Sequence, residues 1–195
     1  VIRRVGERGL STAVIRGWQV ARGEILGVMD ADLQHPASVN LKLLEIMDRG
    51  SDLAVASRHI EGGGLSDWSG IRRIMSRGAQ LIGLIILPDV LGRLSDPMSG
   101  FFMVRRPAIA ATKLDPSGYK ILLEVVARCN VRWIGEAGYV FRERTDGESK
   151  VTWRLYLQYL QHLLRLRVAV SRRFLRFAAV GATGIVVDMS LLYVL

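Results

Sequence analysis

Asp30, Asp32 and Gln34 stand at alternate positions in ILGVMDADLQHP, Ile25 to Pro36, immediately behind a run of apolar residues. Where the backbone stays extended, alternate side chains point the same way, so these three would converge on one point. An all-oxygen set of this kind suits a hard divalent cation, Mg²⁺ or Mn²⁺. A lone D-x-D is also a common solvated turn, and only its surroundings can give it meaning. Ile25, Leu26, Val28 and Met29 read as a short strand covered on both faces. The carboxylates then lie beyond its carboxyl end, where open α/β sheets bind ligands.

Other polar side chains fall at comparable places. Arg58 closes DLAVASR, Asp52 to Arg58, a second short apolar strand, and so sits beside the first site. Arg72 and Ser76 are four residues apart and share one face of a helix. His35, His59 and His162 have no metal-ligand spacing and read as surface or loop residues, and Glu124 reads more readily as a helix-surface carboxylate than as a pocket residue. The run Gly62 to Gly64 is permissive backbone, either a mobile lid or a plain flexible loop.

The elements that must position these groups alternate in type. An opening strand at Val1 to Arg3 leads through a glycine loop to a helix ending near Gly23, then the DAD strand. Pro36 to Arg49 reads as a helix with Leu41, Leu44, Ile46 and Met47 on its apolar side. GFFMVRR and IGEAGYVFRER are further strands, separated by a helix from Lys120 to Cys129. Such βαβ alternation predicts an α/β, Rossmann-like domain over 1–150, with a mostly parallel sheet flanked by helices.

The remainder has a different character. Residues 151–173 read as an amphipathic interfacial helix, with Arg154, Gln158, Gln161 and Arg165 opposite Trp153, Tyr156, Leu160, Leu163 and Leu164. Residues 174–195 form an apolar run long enough to span a bilayer, with a buried core helix as the alternative. Between Val151 and Val187 there are six arginines and no acid, which places the start of that run on the cytoplasmic side. Both termini break off inside apolar runs, so the chain reads as part of a longer protein.

The 195 residues carry a formal charge of +9, and 23 of the 27 basic residues are arginine. The guanidinium fork matches phosphate oxygens bidentately, so nucleic acid, anionic lipid and phosphorylated small molecules are all compatible partners by charge. Basic and aromatic residues are not interleaved as in recognition modules, and no nucleic acid is expected. The single cysteine, Cys129, excludes an intramolecular disulfide and reads as a packing residue.

Taken in order, GERGLSTAV, VMDADLQHP, ASRHIEGGG, SRGAQL, LSDPMSGFF, KILLEV and FRERTDGESK resemble the dolichol-phosphate mannose synthase group of glycosyltransferase family 2. The resemblance runs from Val1 to about Val170, and RRFLRFAAVGATGIVVDMSLLYVL is similar to the first membrane helix of a GtrA-like domain. It implies a GT-A fold, a divalent metal, a nucleotide-sugar donor and a polyprenyl or dolichyl monophosphate acceptor. By position it implies that Asp30, Asp32 and Gln34 hold metal and donor diphosphate, and that Arg58, Arg72 and Ser76 hold the acceptor phosphate. Arg144 and Lys150 fall in the segment that closes over the donor. Asp96 falls where related inverting enzymes keep a carboxylate near the acceptor; it reads equally as the turn residue before Pro97. Complete relatives begin with a nucleoside-binding strand and loop that would precede Val1.

Three functional expectations follow. The first is a membrane-bound hexosyltransferase that moves mannose from GDP-mannose to a polyprenyl phosphate with inversion, Asp32, Asp96 and Arg58 carrying the chemistry. The second keeps the fold but uses UDP-glucose or another donor with undecaprenyl phosphate. The third, of another class, is a non-catalytic basic binding protein anchored to a membrane, which leaves DADLQ at a strand end unexplained.

Overall fold

Short segments of four or five residues build the central sheet. In the computed structural model these are β1 (Ile25–Val28), β2 (Leu53–Ser57), β4 (Phe102–Arg105) and β5 (Ile134–Gly138), ordered β1-β4-β2-β5. They are apolar in β1, β2 and most of β4, and glycine-rich with one glutamate in β5. The structure describes residues 2–4, 6, 9–65, 70–114, 120–141 and 153–194, with backbone alone at 65, 70–76, 153–155, 172–179 and 185–194. The expected opening strand is not formed, since residues 2–4 are irregular.

The sheet is mixed, which corrects the expectation of mostly parallel pairing. β4 is antiparallel to both β1 and β2, and only β2 and β5 pair in parallel. β1, β2 and β5 still share one direction. Phe102 is the register partner of Val28 on one side and of Val55 on the other.

Strand alternation divides the core between two faces. Leu53 and Val55, with Phe102 and Val104, pack against Trp18 of α1 (Leu10–Val20) and against α6 (Ile121–Arg128). Ala54 and Ala56, with Phe101 and Met103, face Val39, Leu43 and Met47 of α2 (Val39–Asp48). All five residues of β2 are fully buried. A large apolar side chain fully buried in such a core contributes about 1.5–3 kcal/mol. The apolar side expected for α2 is rotated, because Leu41 is 66% exposed while Val39 and Leu43 are buried. β3 (Gly64–Leu65) and β6 (Val140–Phe141) form a small parallel pair of their own.

α3 (Gly70–Ile86), the short α4 (Pro88–Leu91) and α5 (Arg106–Ala110) complete the domain before α7. α7 (Trp153–Val194) is one helix of 42 residues, with no break at the expected boundary between 173 and 174. Its first half packs on α3 and α6 through Tyr159, Leu163 and Leu166, and the Tyr159 hydroxyl donates to the Ala79 carbonyl at 3.2 Å. Leu163 was expected at a membrane interface and instead is fully buried against the domain. Among the described residues, no helix is long and apolar enough to cross a membrane.

Candidate active site

Because β4 runs against its neighbours, its beginning meets the ends of β1 and β2. The turn 95–100 therefore lies on the same sheet edge as Asp30, Arg58 and Tyr139, which follow β1, β2 and β5. The approach at Gly100 is close. A Cβ there would lie 2.6 Å from Oδ2 of Asp30, so only glycine lets the carboxylate rest where it does. Nε2 of His35 is 3.8 Å from the same oxygen, and the imidazole is enclosed by Phe101, Tyr139 and Phe141, with ring centroids 5.2–5.5 Å away.

Arg58 and Asp96 form the centre of the edge. Nε of Arg58 donates to Oδ2 at 2.6 Å, a terminal guanidinium nitrogen donates to Oδ1 at 2.8 Å, and the Arg58 backbone N–H adds a third bond at 3.2 Å. Their side chains are 10% and 1% exposed. Burial works against both charges, but the bidentate pairing outweighs it: the Asp96 carboxyl is held below the usual carboxylate range and the Arg58 guanidinium is raised. The guanidinium also lies over the Phe141 ring, 5.5 Å from its centroid.

Several elements hold the turn that carries Asp96. Ser99 Oγ donates to the Ala56 carbonyl at 2.7 Å, Gln80 of α3 donates to the Ser95 carbonyl at 3.0 Å, and Glu136 of β5 accepts from the Ser95 backbone N–H at 3.0 Å. Lys120, just before α6, donates from Nζ to the Met98 carbonyl at 2.8 Å. Burial, with Arg58 nearby, pushes the Lys120 ammonium down to about 8, against the attraction of Asp30 and Asp96. Burial also raises the Tyr139 phenol; Arg58 opposes that shift, while Asp96, Asp30 and Asp32 add to it. The phenol and the ammonium thus both sense the carboxylates of the two sequence motifs.

The expected site residues are placed unevenly. Asp30, Arg58 and Asp96 come together. Asp32 accepts the Gln34 backbone N–H at 3.2 Å in a side-chain turn. The extended alternation expected from Asp30 to Gln34 is broken, because 31–33 bend and Leu33 has φ 62°. That left-handed conformation is costly for a leucine and turns the buried Gln34 inward. The convergence of Asp32 and Gln34 with Asp30 in one ligand set therefore rests on the family resemblance, not on an extended backbone. Arg72 and Ser76 lie in α3, but their side chains are outside the described residues, as are Arg144 and Lys150 altogether.

Three polar residues expected at the surface are buried. His35 is the aromatic-caged ring beside Asp30. Glu124 and His162 meet between α6 and α7, with His162 Nε2 3.9 Å from Glu124 Oε1 and Arg128 Nε 2.9 Å from Glu124 Oε2. A helical period shows which residues share a face but not which face another element will cover. The glycine run is a built turn rather than a loose loop: Gly62 has φ 75°, and a Cβ at Gly138 would collide with the Glu61 carbonyl. Tyr139 and Glu136 gave no local signal, and Lys120 and Gln80 lay in KILLEV and SRGAQL without a role read for them, since each of the four reaches the edge from a different element.

Residues 1–112 match the model of glycosyl transferase family 2. The chain belongs to this family. Family 2 membership implies a GT-A fold, in agreement with the α/β architecture and mixed sheet. The family 2 chain is 40% identical over 195 residues to a dolichol-phosphate mannosyltransferase of Pyrococcus furiosus, covering 99% of this chain and 55% of that protein. It is 37% identical over 177 residues to the protein of that name from Saccharomyces cerevisiae, covering 86% and 64%. A polyprenol monophosphomannose synthase of Mycolicibacterium smegmatis is 31% identical over 160 residues, covering 78% and 59%. The chain thus spans a little over half the length of the curated relatives it matches.

Proposed function

We propose that the protein transfers mannose from GDP-mannose to a dolichyl or other polyprenyl monophosphate, with inversion, at the cytoplasmic face of a membrane. The observation that carries this reading is that the Asp30 carboxylate of the DAD motif and the buried Arg58–Asp96 pair share one end of the sheet, in a chain whose relatives bear the names given above.

Among the described residues, no three His, Cys, Asp or Glu side chains cluster so as to hold a metal ion. Mg²⁺ does not require such a cage, because it is commonly bound by one or two carboxylates with substrate phosphates supplying further oxygens. Asp30 and Asp32, an all-oxygen pair at a strand end, fit that mode, and the half-exposed Asp30 carboxylate opens to the edge. When bound, Mg²⁺ or Mn²⁺ would neutralise the leaving diphosphate as a Lewis acid.

The remaining work falls to this chain's own groups. A phosphate monoester has a second pKa of about 6 and is largely ionised at neutral pH, so the acceptor needs no strong general base. Repulsion between two phosphate groups is the larger obstacle, and Arg58 with Arg72 would offset it and fix the line of approach, with Ser76 adding a hydrogen bond. Asp96 orients the Arg58 guanidinium. Arg144 and Lys150 are assigned to closure over the donor.

Membrane association is part of the proposal. Leu81, Ile82, Leu84 and Ile85 of α3 are exposed, as are Leu157, Leu164 and Val168 on the outer side of α7, beside exposed Arg165 and Arg167. On the length of its apolar sequence and on the resemblance, 174–195, whose side chains lie mostly outside the described residues, is assigned as a membrane-spanning helix that begins a GtrA-like domain. Offering GDP-mannose and UDP-glucose separately, with a polyprenyl phosphate and Mg²⁺, to the full-length gene product tests the reading. Mannosyl lipid from GDP-mannose alone supports it; glucosyl lipid, or no lipid product, overturns it.

A further inference from the structure

Lys120 opens KILLEV, one of the stretches that carry the family resemblance, but that resemblance gave it no role, and its side chain enters the site. It stands just before α6, and its ammonium reaches the Met98 carbonyl at 2.8 Å, inside the turn that carries Asp96. The turn is held by Gln80 and Glu136 at Ser95 and by the Ser99 hydroxyl on Ala56. Between those anchors the carbonyl of Met98 is fastened from α6. Asp96 lies two residues before that carbonyl and accepts two bonds from the Arg58 guanidinium, so a displacement of the turn is passed to Arg58. On its other side the same turn presents Gly100 to the Asp30 carboxylate with no room for a methyl group.

We propose that Lys120 is a positioning residue for the transfer reaction: by fastening the Met98 carbonyl it fixes the 96–100 turn, and through Asp96 it sets the Arg58 guanidinium toward the acceptor phosphate. This rests on the mannosyl-transfer reading of the same site. Its ammonium senses Asp30, Asp96 and Arg58 together, in keeping with a group seated at the junction of the donor and acceptor sides. The fastening acts on the acceptor side because Arg58 is what the turn orients. The donor side depends less on the turn: the DAD backbone is set by β1 and by the enclosed His35, and the turn meets it at the Asp30 carboxylate beside Gly100.

The test is steady-state kinetics of Lys120→Met and Lys120→Arg in the full-length gene product. Losing a charged hydrogen-bond donor to a buried carbonyl should raise KM for the polyprenyl phosphate about tenfold. KM for GDP-mannose should stay within about twofold of the parent, the split expected when only one substrate's binding groups are disturbed. Arginine keeps a donor at a shifted place, so Lys120→Arg should recover part of the loss, leaving acceptor KM raised about threefold. Equal rises in both KM values, or an unchanged acceptor KM, overturn the inference. Should Lys120→Met fail to fold, Lys120→Arg decides alone: a selective rise in acceptor KM supports the role, and none refutes it. Failure of the parent protein to transfer mannose would instead overturn the functional reading on which the inference rests.

Discussion

Asp96→Asn isolates the buried ion pair while keeping the shape of the side chain. The native carboxylate, 1% exposed, accepts two bonds from the Arg58 guanidinium at 2.6 and 2.8 Å and one from the Arg58 backbone N–H at 3.2 Å. Asparagine retains a single oxygen and turns an N–H₂ group toward a guanidinium that is itself only 10% exposed. Breaking a buried pair by neutralising one partner costs about 3–5 kcal/mol, and the retained amide oxygen places this change near the lower end. For a chain of this size that corresponds to a fall in Tm of about 6–12 °C, which tryptophan fluorescence during heating will read. The double substitution Arg58→Met with Asp96→Leu should recover most of that loss, since apolar groups of similar volume commonly replace a buried pair without cost, although transfer activity stays absent. The pH dependence carries the same signature. The folded carboxyl lies below its unfolded value of about 3.9, so its contribution is fully present above that pH and disappears as pH falls through the folded value. The Tm difference between parent and Asp96→Asn should accordingly hold from neutral pH to about pH 4 and close below it. A fall in Tm below about 2 °C at neutral pH, or a double variant no more stable than the single one, would refute the reading that Asp96→Asn costs stability by stranding a buried Arg58 charge.

Gly100→Ala should displace the Asp30 carboxylate, because the new Cβ would stand 2.6 Å from its oxygen; circular dichroism should show the fold kept while the Mn²⁺ concentration needed for half-maximal activity rises, and an unchanged requirement speaks against Asp30 as a ligand. Asp32→Asn removes an anionic oxygen ligand and should slow metal-dependent transfer by about a hundredfold or more, equivalent to about 2.7 kcal/mol of barrier, so full turnover in that variant excludes the metal assignment. Replacing Leu81, Ile85, Leu157 and Leu164 with asparagine touches exposed positions, so the Tm should hold while sedimentation with anionic vesicles by a chain ending at Ser171 weakens. The same binding should weaken with salt, because its electrostatic share is screened, and binding that ignores both changes excludes this face from the membrane surface.

Much of the chemistry was legible in residue order. The DAD strand, the strand ending in Arg58, the Lys120 to Cys129 helix and the GFFMVRR strand all form near the expected places, because short apolar runs and helical periods are local properties. The motifs also named Asp30, Arg58 and Asp96 before any geometry joined them. Local pattern failed where a face had to be chosen. His162, Glu124 and Leu163 are buried because α7 folds back on α3 and α6, and nothing in the period of α7 says whether lipid or protein will cover its apolar side.

Sequence by itself determined which side chains would be available at strand ends and that their chemistry would be carboxylate oxygens facing arginines. Only the tertiary structure decided that they meet. Strand direction leaves no trace in the apolar run of Phe102–Arg105; it follows from where the neighbouring connections can close and from which layer the flanking helices cover. Antiparallel insertion of β4 between β1 and β2 is what carries the 95–100 turn to the DAD edge, sets Asp96 on Arg58 and brings the Met98 carbonyl within reach of Lys120. The inward turn at Leu33 is of the same kind, since a left-handed leucine is unfavourable locally and is held by burial of Gln34 and His35 behind it.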